Sequence, residues 1–337
     1  MAENQNADIV EQPRMNEPIK NEVLPQPFCN CWTWHDEKEP GNPDCNCGEE
    51  IDMIHWRWEV PLRRDNWVVL HDDDKQVIFH PFYSSGTAAV RGNAPMELNR
   101  HYYFEVKMLT EPYGSDIMVG IGSDKLNLTD ALYDFRSLLG GTEESYGISY
   151  TGAICQSSMV THDSPGFVKG TIIGVKVDMF LGTLEFYLNR EPYGIVVTDL
   201  RKHQVLYPML SSTTAQSSLR LTYASSWDES LMVKAARALA ASTYGEYDGE
   251  GYADAVGEAY AENYGEDYGE GEAEGEGEEE VDELSFLRDV PPGLEKILRT
   301  QFWMVLPSAG RQKPAMDPEK SELLPAAIRR KHWHRRW

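Results

Sequence analysis

The sequence predicts an all-β protein, an antiparallel β-sandwich followed by a small helical region that a disordered acidic linker interrupts. Three observations carry that expectation. From about Ile51 to Tyr223, short runs alternate apolar with polar or small residues, the period of a strand with one buried face. Turn residues separate these runs at spacings of roughly 10–30 residues, as in antiparallel sandwiches. Beyond Tyr223 the period lengthens to that of a helix.

Residues 1–27 are polar and proline-rich with no hydrophobic period, and are expected to be disordered. Residues 28–50 form a loop with paired cysteines. In the sandwich, residues 51–223, the run 101–109 places Phe104, Val106 and Met108 on one face. Runs 115–123 and 144–152 follow, and 171–178 alternates Ile173, Val175 and Val177 with polar or small residues. Leu184, Phe186 and Leu188 share one side of 183–190, and runs 205–212 and 218–223 close the domain.

The first helix is expected over 226–243. Ser226 and Glu229 stand three apart, the reciprocal capping pattern that satisfies amides at a helix start. Leu231, Ala235 and Leu239 then recur every four residues. Residues 244–282 form the acidic linker. Between Tyr244 and Glu280 lie fifteen Asp and Glu and no Lys or Arg, with almost no aliphatic residues, so the segment repels itself and stays solvated. A second helical segment, 284–306, is signalled by Pro291 and Pro292, since proline is tolerated in a first turn. Leu294, Leu298, Phe302 and Val305 supply its apolar stripe. Residues 307–337 are expected to be a disordered tail, ending in a basic cluster from Arg329 to Arg336 that reads as a nuclear address or a solvated tail.

The net charge of −24 over 337 residues resides mostly in the linker. That linker reads as a solubilising spacer or as a contact for a basic partner such as a histone tail; direct nucleic-acid binding is not expected. No apolar run approaches the roughly 18–20 residues needed to cross a bilayer, so no membrane contact is expected. The polar first residues carry no signal-peptide core. Five cysteines, an odd number, fit a reducing compartment, hence nucleus and/or cytoplasm. Cys29, Cys31, Cys45 and Cys47 offer four thiolates, enough for a tetrahedral zinc site. Adjacent ligands one residue apart strain such a site, and loop thiols with a packing role are the other reading. Cys155 reads as a core residue. The histidines are scattered without a nucleophile or acid at catalytic spacing, and no phosphate-cradling loop is present. An enzyme is not expected, and no cofactor beyond the possible zinc.

Phe79 to Gly92 (FHPFYSSGTAAVRG), Tyr113 to Ser123 (YGSDIMVGIGS), Phe135 to Gly152 (FRSLLGGTEESYGISYTG) and Val177 to Arg190 (VDMFLGTLEFYLNR) together resemble the SPRY (B30.2-like) domains of the SPRY domain-containing SOCS box proteins. The resemblance extends over roughly residues 28–306 apart from the acidic tract. It implies a two-part SOCS box. Its first helix would seat Leu231, Ala235 and Leu239 on elongin C of the elongin B/C pair, with alanine where the family usually has cysteine. Its second part, Val290, Pro291, Pro292, Leu294 and Leu298, would select cullin-5 with its RING subunit, with valine replacing a more usual leucine. The acidic tract then reads as an insertion, tolerable because loop-closure entropy grows only logarithmically.

The same resemblance implies that a protein target docks a short peptide on loops at one end of the sandwich. The matching residues are Tyr83, Ser84, Ser85, Gly86 and Thr87, then Phe135, then Thr213, Thr214 and Ala215. Members that favour an asparagine-rich acidic peptide have tyrosine at the Phe135 position and Val-Trp-Gly at the third loop, so a different ligand preference is expected here. The implied function is a substrate-recognition adaptor of an elongin B/C–cullin-5 ubiquitin ligase, which promotes ubiquitination and proteasomal degradation of its targets. The alternative is a SPRY peptide-binding scaffold without ligase recruitment.

Overall fold

The strand Arg100–Met108 has all but its first residue buried, although five of those eight buried side chains are polar or carry hydroxyls. Tyr102, Phe104, Val106 and Met108 point into the main core. His101, Tyr103, Glu105 and Lys107 alternate with them and are at most 1% exposed. Both faces of this strand are therefore covered, and the outer cover is what organises the rest of the chain. The structure, a computed structural model, describes residue 28 and residues 46–60, 67–244 and 292–308, with the backbone alone at 239–244 and 292.

Fifteen strands are described. The first six are β1 (Trp58–Glu59), β2 (Val68–His71), β3 (Gln76–Phe79), β4 (Ala88–Gly92), β5 (Met96–Glu97) and β6 (Arg100–Met108). β7 (Ile117–Ser123), β8 (Ser145–Ser149), β9 (Ala153–Gln156), β10 (Met159–Asp163) and β11 (Ile172–Asp178) follow. β12 (Thr183–Leu188), β13 (Glu191–Val197), β14 (Val205–Ser212) and β15 (Ser217–Asp228) complete the two sheets. One sheet runs β1-β4-β14-β7-β8-β9-β10, with β5 also paired to β14; the other runs β13-β12-β11-β6-β15-β3-β2. All strand pairs are antiparallel. The inner faces interdigitate Val77, Phe79, Val90, Phe104, Val119, Ile148, Val175, Phe186 and Leu221 into one core, as the alternation in the sequence requires.

The sandwich ends later than Tyr223. β15 continues to Asp228, pairing Trp227 with His101 and Asp228 with Arg100. Ser226 is thus a strand residue and caps nothing. Ser230 does the capping: its hydroxyl accepts the Val233 amide at 3.3 Å and its carbonyl the Lys234 amide at 3.2 Å. Glu229 turns away to His101 instead. The sheet competes for the same residues and wins, because β6 supplies a complete ladder of partners through Arg100.

The first helix, α1 (Leu231–Tyr244), and the second, α2 (Pro292–Thr300), cover the outer face of the seven-stranded sheet, with a short 3-10 turn, Phe302–Met304, after α2. Val233, Ala236, Leu298, Phe302, Trp303, Met304 and Val305 pack with Tyr103, Tyr187 and Tyr223 into a second core. Gly174 makes room for it. A methyl there would sit 2.6 Å from the Tyr103 hydroxyl and 3.0 Å from the Tyr187 Cβ. The phenol oxygens are satisfied: Tyr103 donates to Glu105 at 2.8 Å, Tyr187 to Glu185 at 2.9 Å and Tyr223 to the Thr300 carbonyl at 2.7 Å. Gln301, also buried, accepts from Ser225 and Trp303. Arg190 pairs with Glu105 at 3.0 Å and lies over the Phe302 ring.

Residues 46–50 lie on the same face, where Lys107 Nζ donates to the Cys47 carbonyl at 2.9 Å and Arg220 reaches Glu49 at 2.8 Å. The expected disorder of 1–27 and 307–337, the course of the acidic linker, and Cys29, Cys31 and Cys45 fall outside the described residues, apart from Pro307 and Ser308. Those two are ordered against the Tyr187 hydroxyl and Glu185. Among the described residues no helix is long and apolar enough to cross a membrane.

Candidate functional site

Four segments meet at the end of the sandwich where β3 stops and β15 begins: 80–87, 111–116, 129–137 and 213–216. Hydrogen bonds hold them. Ser84 Oγ donates to the Thr213 carbonyl at 2.6 Å, and Thr87 Oγ1 lies 2.8 Å from both the Asp134 and Arg136 carbonyls. The Tyr113 hydroxyl donates to the Ala215 carbonyl at 2.6 Å, while Thr214 Oγ1 donates back to the Tyr113 carbonyl. Gly86 is compulsory, because a Cβ there would run into the Leu132 carbonyl. Below these loops the buried Asp116 carboxylate accepts from Ser137 and from Ser149. The His80 ring, also buried, faces the Ser212 carbonyl at 3.0 Å, and burial lowers its pKa despite that contact.

This framework displays a rim of exposed aromatics. Phe82, Tyr83, Tyr113, Tyr133 and Phe135 are 50–82% exposed, and Tyr133 rests edge-on against Trp67 at 5.4 Å. Exposed large rings on a rigid scaffold provide contact area at little entropic cost. Of the loop residues picked from sequence, Tyr83 and Phe135 are exposed, while Ser84, Ser85 and Ala215 are half-buried. Gly86, Thr87, Thr213 and Thr214 are buried. Those four shape the loops and offer no contact surface, a correction with a simple cause: their hydroxyls, or the missing side chain, are used up in tying one loop to the next. The sequence reading missed Phe82, Tyr113 and Tyr133. Their signal was present, since bulky rings in turn segments have no core to fill.

α1 begins at the opposite end, just beyond Asp228 where β15 stops, and runs over the outer face of the sheet. α1 turns Val233 and Ala236 inward, which leaves Leu231 84% exposed and Ala235 exposed beside it. The periodic stripe seen in the sequence is therefore the outer face; the Leu239 side chain lies outside the described residues. A buried polar cluster fixes the helix to the sandwich. His101 bonds Glu229 through Nε2, and Arg237 reaches Asp178 Oδ2 at 2.7 Å and His101 Nδ1 at 3.1 Å. Burial alone would raise the Asp178 pKa; the bonds from His101 and the Leu181 amide, with the charges of His101 and Arg237, outweigh it and hold the carboxyl at about 2.

In α2, Leu298 is fully buried and Leu294 half-buried in the second core. Leu298 is thus not available to a partner, because the tyrosine face of the sheet has taken it. Gly293, Lys296 and Thr300 are the exposed positions, and a Glu295–Arg299 pair at 2.9 Å flanks them. Val290 and Pro291 fall outside the described residues. Of the four paired cysteines only Cys47 is described, and it is half-buried. Among the described residues no group of His, Cys, Asp and Glu is arranged to hold a metal. Cys155 is half-buried and packs against the cluster of Met118, Leu139 and Met209, in keeping with a packing role, and burial followed by the charges of Asp116 and Asp163 pushes its thiol up to about 12.

A family profile described as the SPRY domain matches residues 101–225. SPRY domain-containing SOCS box protein 3 of Xenopus tropicalis is 40% identical over 196 residues, which is 58% of this chain and 52% of that protein. The protein of the same name from Xenopus laevis is 42% identical over 177 residues, 52% of this chain and 48% of that one. The chain thus spans about half the length of the curated relatives it matches. The solved TRIM65 PSpry domain is 19% identical, with a TM-score of 0.39, covering 49% of this chain and 88% of that one. This chain carries a SPRY domain, an antiparallel β-sandwich, and is a relative of SPRY domain-containing SOCS box protein 3.

Proposed function

We propose that this chain is a non-catalytic substrate receptor that joins a protein target to an elongin B/C–cullin-5 ubiquitin ligase. The observation that carries the reading is Leu231. It is 84% exposed and stands on a helix whose other face is locked to the sandwich, at the position where the family resemblance places the elongin C anchor. Residues Leu231, Ala235 and Leu239 would seat elongin C, and Val290 to Leu294 with the exposed face of α2 would approach cullin-5 and its RING subunit. The aromatic rim would hold a short peptide of the target.

The two ends are separated by the length of β15, which runs from Ser217 at the loops to Asp228 at the helix. Twelve residues of strand span roughly 40 Å. Target and ligase are thereby kept apart without steric conflict, and holding both raises the effective concentration of target lysines near the activated ubiquitin. No nucleophile on this chain is needed for that; placement in the nucleus and/or cytoplasm goes with the reading. The test is co-purification with elongin B/C, using wild type and Leu231→Asp in parallel. A stoichiometric complex lost on substitution supports the ligase role. A folded wild type that captures no elongin B/C leaves a SPRY peptide-binding scaffold.

A further inference from the structure

The four segments that meet at the loop end, 80–87, 111–116, 129–137 and 213–216, hold three exposed carboxylates, Glu111, Asp130 and Asp134. Against them stands a single Lys or Arg, Arg136. That guanidinium is already committed: its Nε lies 3.2 Å from Asp134, and a terminal nitrogen bonds Asp130. His80 adds no positive charge at neutral pH, because burial lowers its pKa. The loop end is therefore electronegative, and an acidic peptide meets no uncommitted cation in these segments.

The same segments carry the exposed rings. Asp134 stands between Tyr133 and Phe135 in the chain, both exposed. The Thr87 hydroxyl donates to the Asp134 carbonyl at 2.8 Å, which fixes this stretch against the segment that bears Phe82 and Tyr83. Ring faces attract cations through their quadrupole, and a carboxylate beside them adds a charge-assisted hydrogen bond. A guanidinium suits both better than an ammonium, since it is planar, stacks on rings and is more weakly hydrated.

We propose that the loop end selects target peptides through a cationic side chain, arginine before lysine, laid on the exposed rings and paired with Asp134. The proposal rests on the reading of this end as the target site and deepens it by naming the chemistry of the motif. The chain's net charge of −24 draws the same peptides in from a distance, and the rings supply the place where one is held.

The experiment pans phage-displayed random dodecapeptides on the immobilised full chain. Counter-selection on the Tyr83→Ala/Tyr133→Ala/Phe135→Ala chain, which carries the same acidic linker, removes peptides that bind elsewhere by charge alone. The survivors should share an arginine and contain few acids. One survivor, synthesised with a fluorophore, should bind Asp134→Asn about fivefold more weakly than wild type, the upper range for an exposed ion pair. Its arginine-to-citrulline analogue, which keeps the shape and removes the charge, should lose at least as much on the wild-type chain. Survivors without a shared cation overturn the proposal and leave the peptide site standing. A citrulline analogue that binds as tightly as the parent also overturns it, and this arm needs no protein variant to fold. If no peptide survives counter-selection, the rim is not a peptide site and both readings fall.

Discussion

Tyr103 and Trp303 stack with their ring planes 11° apart and centroids 6.1 Å apart, although two hundred residues separate them in the chain. Tyr103 belongs to the central strand of the seven-stranded sheet; Trp303 lies just beyond α2. The pair marks how the C-terminal segment is held: by the sandwich, through a buried aromatic face, independently of the acidic stretch that precedes it.

Replacing Trp303 with Ala should therefore destabilise the chain by about 3–5 kcal/mol, the usual cost of deleting a buried tryptophan. Urea denaturation gives the magnitude. Limited proteolysis should show cleavage near residues 300–308 at denaturant levels where the sandwich remains intact.

Acid should loosen α1 through Asp178. Its folded-state pKa is depressed, so the unfolded chain binds the proton more readily. The stabilisation is fully present above the unfolded value of 3.8 and is lost as pH falls toward about 2. A carboxyl held that far below its ordinary value contributes roughly 2 kcal/mol. Equilibrium unfolding measured from pH 5 to pH 2 should lose about that amount in wild type and less in Asp178→Asn, which should instead be weaker by a similar margin at pH 7.

Gly86→Ala should disturb the loop end alone. The added methyl meets the Leu132 backbone, and the 129–137 segment must shift to admit it. Target capture should fall while elongin B/C binding stays at the wild-type level. Loss of both would place the damage in the whole sandwich.

Tyr83→Ala with Phe135→Ala should weaken target binding by about tenfold or more and change stability by less than about 0.5 kcal/mol, as exposed side chains do. An asparagine-rich acidic peptide should bind this chain less tightly than it binds members of the family with tyrosine and Val-Trp-Gly in these loops. Equal affinity would show that Phe135 and the Thr213–Ala215 segment do not set the preference.

Cys155 should resist alkylation in the folded protein at pH 8, because its thiol is pushed up to about 12 and the thiolate is the reactive form. Mass spectrometry after brief iodoacetamide treatment should find it unmodified, and fully modified in urea.

The strands were legible because alternation is local. Phe104, Val106 and Met108 must face one way once the segment is extended, and the runs 171–178 and 183–190 follow the same rule. Helix starts were less so. Ser226 to Glu229 has the residues of a cap, yet β6 offers a paired ladder through Asp228, and the helix begins only after Ser230.

Periodicity within a few residues was enough to specify the sandwich, the two helical segments and a stripe of Leu231 and Ala235 on one helix face; that this stripe faces outward was decided by packing, which turns Val233 and Ala236 inward. What covers what was settled only by tertiary packing. His101, Tyr103, Glu105 and Lys107 alternate with the core-facing residues of their strand, and α1, the 302–305 turn and residues 46–49 bury them. Leu298 is spent in that cover, and Thr87, Thr213 and Thr214 are spent in joining loops. Burial of an outer face depends on partners hundreds of residues away, and local pattern carries no information about them.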